Sequence, residues 1–121
     1  LLRAGGVKIL QPALGRVGGI WEAKKIAAMA EVFNAEMAPH LYAGPVEWAA
    51  NVHFAASIPN LLIAETIETG GAFHLRLIHN SIRWEDGYIL PPEAPGLGID
   101  FDEDLARAHP VIGAMIARHG G

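Results

Sequence analysis

Apolar runs and amphipathic segments alternate through the first half of the chain. The apolar runs cover residues 7–11, 36–40 and 61–65, and their length suits buried parallel strands. Between them, residues 20–33 and 46–58 repeat apolar side chains at helical spacing, so each predicts a helix with one buried face. Strands joined through helices by short connections favour right-handed crossovers, which predicts a parallel sheet with helices packed on it.

The second half of the chain has a different pattern. Asp86-Gly87 is a good tight-turn pair between two strand-like runs, so residues 82–90 predict a β-hairpin. Residues 91–98 are rich in proline and glycine, which predicts an extended strap over the surface. Asp102 is expected to be the N-cap of a short helix.

Three parallel strands are too few to close a barrel, which needs eight. A small open sheet would leave two unpaired edges that are prone to mispairing. The pattern therefore predicts an α/β fold that forms the last three β/α units of a larger TIM-type (β/α) barrel. Residues 1–4, followed by Gly5-Gly6, look like the end of a helix, so we expect the chain to be part of something longer. Alone, this segment should be poorly stable.

Composition and charge narrow the possible functions. Hydrophobic residues make up 51% of the chain and charged residues 18%, as in globular domains. The formal net charge of -4 gives no reason to expect nucleic-acid binding. The chain has no cysteine, which excludes disulfides and thiolate metal sites. No apolar run approaches the roughly 18–20 residues of a membrane span, so we predict a cytoplasmic protein without membrane contact.

Candidate chemistry lies where the predicted strands end. In barrels of this kind, residues at the carboxyl ends of the strands meet in one pocket, and here these residues are Ala13, His40 and Glu65. A histidine titrates near neutrality and can serve as a general acid or base. Glu65 can accept a hydrogen bond from a substrate or, if protonated, donate one to a developing oxyanion. From these residues alone, a structural role for either is as good an interpretation as a catalytic one.

Several motifs in this order resemble one known family. They are the run 11–20 (QPALGRVGGI), Ala38-Pro39-His40, the run 55–60 (AASIPN), Glu65, Asp86-Gly87-Tyr88 and the run 95–98 (PGLG). Together they are similar to the carboxyl-terminal part of the enolase superfamily, in its mandelate racemase and sugar-acid dehydratase branch. The resemblance extends to about Pro110. It implies that residues 1–80 hold barrel strands six to eight with their helices, and that residues 81–121 form a hairpin, strap and short helix of the capping region.

The resemblance also implies a reaction. Family members bind a carboxylate substrate on Mg²⁺, remove the neighbouring proton and stabilise the resulting enediolate; in the dehydratases a general acid then helps a β-hydroxyl leave as water. His40 matches the family histidine after the seventh strand, and Glu65 the carboxylate after the eighth. Tyr42 and Trp48 follow His40 closely enough to contact a sugar-acid substrate, with a loop role and a packing role as their respective alternatives.

The sequence departs from the family pattern at Ala13, where members commonly carry an aspartate paired with the histidine. Dehydration tolerates this change better than two-base racemisation does, because His40 can still act as an acid. The family's Mg²⁺ ligands and capping domain belong to parts absent from this chain, so we expect the segment alone to be inactive. The full-length protein is expected to be a homo-oligomer. The alternatives are a racemase or cycloisomerase of the same superfamily, and a catalytically silent barrel segment that acts through assembly.

Overall fold

Strand and helix alternate along the first part of the chain, as the hydrophobic pattern predicts. The computed structural model describes residues 1–66, 71–79 and 81–110. After a 3-10 turn at Leu2–Ala4, the elements of this part are β1 (Ile9–Leu10), α1 (Leu14–Val17), α2 (Ile20–Val32), β2 (Glu36–Met37) and α3 (Pro45–Ala56). The short helix α1 ends at Gly18, which adopts the left-handed conformation (φ 104°) that glycine tolerates best.

Helix α2 packs through a stripe of alanines. Ala23, Ala27 and Ala30 recur at helical spacing and are at most 2% exposed. Small side chains let the helix lie close to the strands, and the larger Leu14, Met37 and Phe54 fill the space between α1, β2 and α3. The helix is followed by Asn34, which adopts a positive φ of 51° and reverses the chain toward β2.

The predicted sheet is parallel, but its third strand is reduced to a single bridge. Strands β1 and β2 pair in parallel, with Leu10 opposite Met37. Met37 also forms a parallel bridge with Leu61. The run 61–65 goes no further as a strand, and Leu62 and Ile63 are 47% and 64% exposed. Within the described ranges this run pairs on one side only, which accounts for its short ladder.

The second part of the chain confirms the predicted hairpin and capped helix. Helix α4 (Gly71–Leu77) precedes the antiparallel strands β3 (Arg83–Glu85) and β4 (Tyr88–Leu90), and α5 (Glu103–Ala108) follows. Asp86 and Gly87 have φ values of 49° and 83°, as a type I′ turn requires. The Asp102 carboxylate accepts a hydrogen bond from the Leu105 N–H at 2.8 Å and so caps α5.

A second apolar cluster connects α3 with the later elements. Its buried members are Leu41, Trp48, Ala49, Val52, Ile78 and Ile82. The His53 ring also donates to the carbonyl of Leu97 at 3.0 Å, which ties this part of the chain to α3. The division into parts 1–80 and 81–121 stays a prediction about the full protein, and residues 111–121 lie outside the described residues. None of the described helices has the length and apolar character needed to cross a membrane.

Candidate active site

Backbone pairing beyond β2 fixes the position of His40. The Ala38 N–H donates to the Leu10 carbonyl at 2.8 Å, and the His40 N–H donates to the Pro12 carbonyl at 3.1 Å. The ladder between the first two strand segments therefore continues past the strands themselves. His40 lies at the carboxyl end of the sheet, where the sequence predicted it.

The third strand segment brings Glu65 to the same edge. The Met37 N–H donates to the Asn60 carbonyl, and the Leu62 N–H donates to the Met37 carbonyl, both at 2.8 Å. The side-chain amide of Asn60 also donates to the Ala27 and Ala35 carbonyls, at 3.1 Å and 3.0 Å. Asn60 thus anchors the start of the segment that ends in Glu65.

The two predicted groups are in direct contact. Nδ1 of His40 lies 2.6 Å from Oε2 of Glu65. The Leu41 N–H donates to the same carboxylate oxygen at 2.7 Å. The side chains of His40 and Glu65 are 42% and 50% exposed, so the pair opens to solvent. The sequence predicted that both side chains lie at the carboxyl-terminal edge of the sheet, which we call the rim. It did not predict the hydrogen bond between them.

Electrostatics favour the ionised form of Glu65. The pKa of Glu65 is lowered from its ordinary value of 4.5, first because the Leu41 N–H donates to the carboxylate and further because His40 lies beside it; burial acts in the opposite direction. An ionised carboxylate can only accept hydrogen bonds, so Nδ1 of His40 carries the shared proton. Nε2 of the ring is then the nitrogen left to interact with a ligand. The donation of a hydrogen bond from protonated Glu65 to an oxyanion, the other role expected from the sequence, stays a prediction.

Ala13 occupies the adjoining position on the rim. The register that sets Leu10 opposite Met37 brings Ala13 level with His40 when it is continued. Its methyl group has no acceptor for an imidazole N–H. Of the three rim positions predicted from the sequence, only those of His40 and Glu65 can exchange protons.

A contact that sequence reasoning missed lies beside Ala13. The backbone N–H of Gly15 donates to Oε1 of Glu47 at 2.9 Å, which joins the first turn of α1 to the first turn of α3. A Cβ atom at Gly15 would come within 2.5 Å of Oε2 of the same carboxylate. The sequence gives one signal of this contact. Gly15 is the second residue of α1, a position where no turn requires a glycine.

The predicted substrate contacts differ in accessibility. Tyr42 is 84% exposed, near the His40 side of the rim, and is available to a ligand. Trp48 is 6% exposed, and its ring lies 6.3 Å from the ring of Trp84. The burial of Trp48 agrees with the packing alternative. Contact of either residue with substrate stays a prediction.

The described residues do not form a metal site. Across residues 1–66, 71–79 and 81–110, no three histidine or acidic side chains are grouped closely enough to hold a metal ion. The chemistry of the rim, with one imidazole and one carboxylate, also falls short of a full Mg²⁺ ligand set.

The fold and the site together define an α/β protein segment with an imidazole and a carboxylate at its strand ends. The chain belongs to the enolase C-terminal domain-like family, whose model matches residues 1–105. This confirms the resemblance to the enolase superfamily that the sequence motifs indicated. It also confirms the α/β fold, while the particular barrel strands and the strap remain expectations.

Among individual proteins, the chain is similar to D-galactonate dehydratases. It is 44% identical over 111 residues to that of Ralstonia pickettii (strain 12J) and 40% identical over 110 residues to that of Cronobacter sakazakii (strain ATCC BAA-894). The first alignment covers 87% of this chain and 29% of the dehydratase, and the second 86% and 29%. The chain thus spans less than a third of the length of these relatives.

Solved structures show the same fold. A mandelate racemase/muconate lactonizing enzyme-like protein from Roseovarius sp. TM1035 is 75% identical, with a TM-score of 0.84 over 90% of this chain and 27% of that one. An enolase from Pantoea ananatis, solved with bound D-gluconate and Mg, is 30% identical, with a TM-score of 0.83 over 92% of this chain and 27% of that one.

Proposed function

We propose that the full-length protein containing this chain is a Mg²⁺-dependent sugar-acid dehydratase, in which His40 is the general acid. The observation that carries this proposal is the 2.6 Å contact of His40 Nδ1 with the Glu65 carboxylate, which leaves Nε2 to face a substrate. The similarity to D-galactonate dehydratases and to a gluconate-bound enolase supports a sugar acid as the substrate.

The proposed reaction removes water from the carbons next to the substrate carboxylate. Loss of the α-proton gives an enediolate; its electron pair then forms the Cα–Cβ double bond while the Cβ–O bond breaks. The departing hydroxyl takes the Nε2 proton of the His40 imidazolium and leaves as water. The ring is then neutral and regains a proton before the next turnover. General acids of this kind contribute about 10²- to 10⁴-fold in rate.

Glu65 has two oxygens for two tasks in this proposal. Oε2 accepts hydrogen bonds from the His40 ring and the Leu41 N–H. Oε1 is available to accept a hydrogen bond from a substrate hydroxyl. The residues described here do not fit a complete Mg²⁺ site, so the ligands and the base that removes the α-proton are assigned to parts of the protein outside this chain. The segment alone is expected to be inactive.

The experiment compares the full-length protein with its His40→Asn variant, using D-galactonate and D-gluconate with Mg²⁺ present. Formation of the 2-keto product is measured by its carbonyl absorbance after derivatisation. We expect the variant to lose at least about 10²-fold in kcat, the lower end of general-acid catalysis. Unchanged dehydration in the variant would exclude His40 as the acid.

Two further outcomes correspond to the alternative functions. Exchange of the α-proton with deuterium from the solvent, without any loss of water, would indicate a racemase or cycloisomerase. If neither exchange nor dehydration occurs with any sugar acid, while His40→Asn changes the oligomeric state measured by sedimentation, the segment acts through assembly.

A further inference from the structure

We propose that Glu65 is a positioning residue that holds the His40 imidazole in one tautomer and one orientation, a role that the methyl group of Ala13 cannot perform. This inference rests on the proposed function, because it concerns the step in which His40 delivers a proton. It differs from the substrate-bonding role expected for Glu65 from the sequence.

The first argument is geometric. Glu65 reaches the ring nitrogen of His40 at 2.6 Å, within the range of a charge-assisted hydrogen bond. The same oxygen is held by the Leu41 N–H at 2.7 Å. Because Leu41 follows His40 directly, the carboxylate is fixed relative to the backbone that carries the ring. An imidazole held in this way loses the rotation about its χ2 bond that would exchange Nδ1 with carbon.

The second argument concerns what else is available to hold the ring. The side-chain hydrogen bond found for His40 in the described part of the chain goes to Glu65. Ala13, three residues after β1, comes level with His40 when the strand register is continued, and its methyl group offers no acceptor. The ring is 42% exposed, so packing alone leaves it room to turn. The carboxylate is therefore the group that selects the orientation of the ring.

The third argument is electrostatic. The lowered pKa of Glu65, set first by the Leu41 N–H and then by His40, keeps the carboxylate charged at neutral pH. A negative charge beside Nδ1 stabilises the imidazolium that must form before the proton is delivered from Nε2. Glu65 thereby acts on the leaving-group step through His40, and at saturating substrate only this step should depend on it.

The proposal can be tested by separating the two steps of the reaction in the full-length protein. In Glu65→Gln the amide oxygen can still accept from the Leu41 N–H and from Nδ1 of His40, so this variant removes only the charge. In Glu65→Leu the acceptor is lost as well, and the ring is no longer held. Dehydration is followed as product formation. Enediolate formation is followed separately, as exchange of the substrate α-proton in D₂O. Glu36→Gln is the matched control, because Glu36 is an exposed carboxylate at the opposite end of the strand segment that leads to His40.

If Glu65 positions His40, kcat for dehydration in Glu65→Leu falls about 10- to 100-fold, as when carboxylates that orient functional imidazoles are removed, and it falls less in Glu65→Gln. The exchange rate at saturating substrate changes less than about threefold, while KM rises because the Oε1 acceptor for a substrate hydroxyl is lost. Glu36→Gln behaves as the unaltered protein. If exchange at saturating substrate falls together with dehydration, Glu65 acts on the enediolate and the proposal is wrong. Unchanged dehydration in Glu65→Leu also overturns it.

If the proposed function is wrong, the variants give a different set of results from those that refute the positioning role. If His40→Asn dehydrates normally, His40 is not the acid, whatever Glu65→Leu does. If His40→Asn is impaired and Glu65→Leu is not, the function stands and the positioning role alone is refuted. Thermal unfolding of each variant, compared with the unaltered protein, identifies any loss that comes from misfolding rather than from the site.

Discussion

Replacement of Asn60 by aspartate should destabilise the protein more than its replacement by alanine. The Asn60 amide donates to the Ala27 and Ala35 carbonyls at 3.1 Å and 3.0 Å, joining α2, β2 and the segment that carries Glu65. Each lost hydrogen bond costs about 0.5–1.5 kcal/mol, so Asn60→Ala should cost about 1–3 kcal/mol. Asn60→Asp loses the same bonds and also places a charged carboxylate against two carbonyl oxygens, which adds desolvation and repulsion.

Urea unfolding of the full-length protein at neutral pH measures the stabilities of these variants directly. We expect the midpoint to fall from the unaltered protein to Asn60→Ala and again to Asn60→Asp. The matched control is Asn34→Asp, the same chemical change at an exposed site just after α2, which should cost no more than the roughly 0.3–1 kcal/mol of a negative charge at a helix C-terminus. The reasoning is refuted if Asn60→Asp is as stable as the unaltered protein, or more stable than Asn60→Ala.

Three further predictions concern packing, pH and capping. Ala27→Leu should cost about 1–3 kcal/mol in urea unfolding because Ala27 is 2% exposed, whereas Ala28→Leu on the exposed face should change stability little. Because the folded-state pKa of Glu65 is lowered, its stabilising contribution is present above the ordinary value of 4.5 and is lost as the pH falls through the folded pKa; Glu65→Gln should flatten this part of the acid dependence in urea melts. Asp102→Ala should cost about 0.5–2 kcal/mol and speed hydrogen exchange at the Leu105 amide, while Asp102→Asn keeps the cap.

The elements that depend on a few neighbouring residues could be predicted from the sequence. The Asp86-Gly87 pair accepts the positive φ values of a type I′ turn, so the hairpin could be placed from the dipeptide alone. Asp102 was likewise identifiable as an N-cap because its carboxylate bonds the N–H of a residue three positions on. The two long helices were expected from apolar spacing, with ends within a few residues of those observed.

Features that depend on distant partners were less predictable. The run 61–65 has the composition of a strand, but a strand also needs neighbours, and only Leu61 forms a ladder contact among the described residues. His40 and Glu65 were predicted to share a rim because parallel strands end together. Their 2.6 Å hydrogen bond depends on side-chain direction, which the pattern does not encode. Trp48, placed near the rim by its position along the chain, turned out to be buried because α3 presents that face to the hairpin.

The bond between Gly15 and Glu47 has a consequence for how this protein can vary through evolution. A side chain at position 15 would displace the carboxylate end of Glu47, 32 positions further along the chain, and so break its hydrogen bond to the N–H of residue 15. Homologues that carry a larger residue at the first of these sites have no such bond to keep, and we expect the two positions to change as a pair. Such paired changes would keep the loop after the first strand in place while the candidate catalytic rim diversifies.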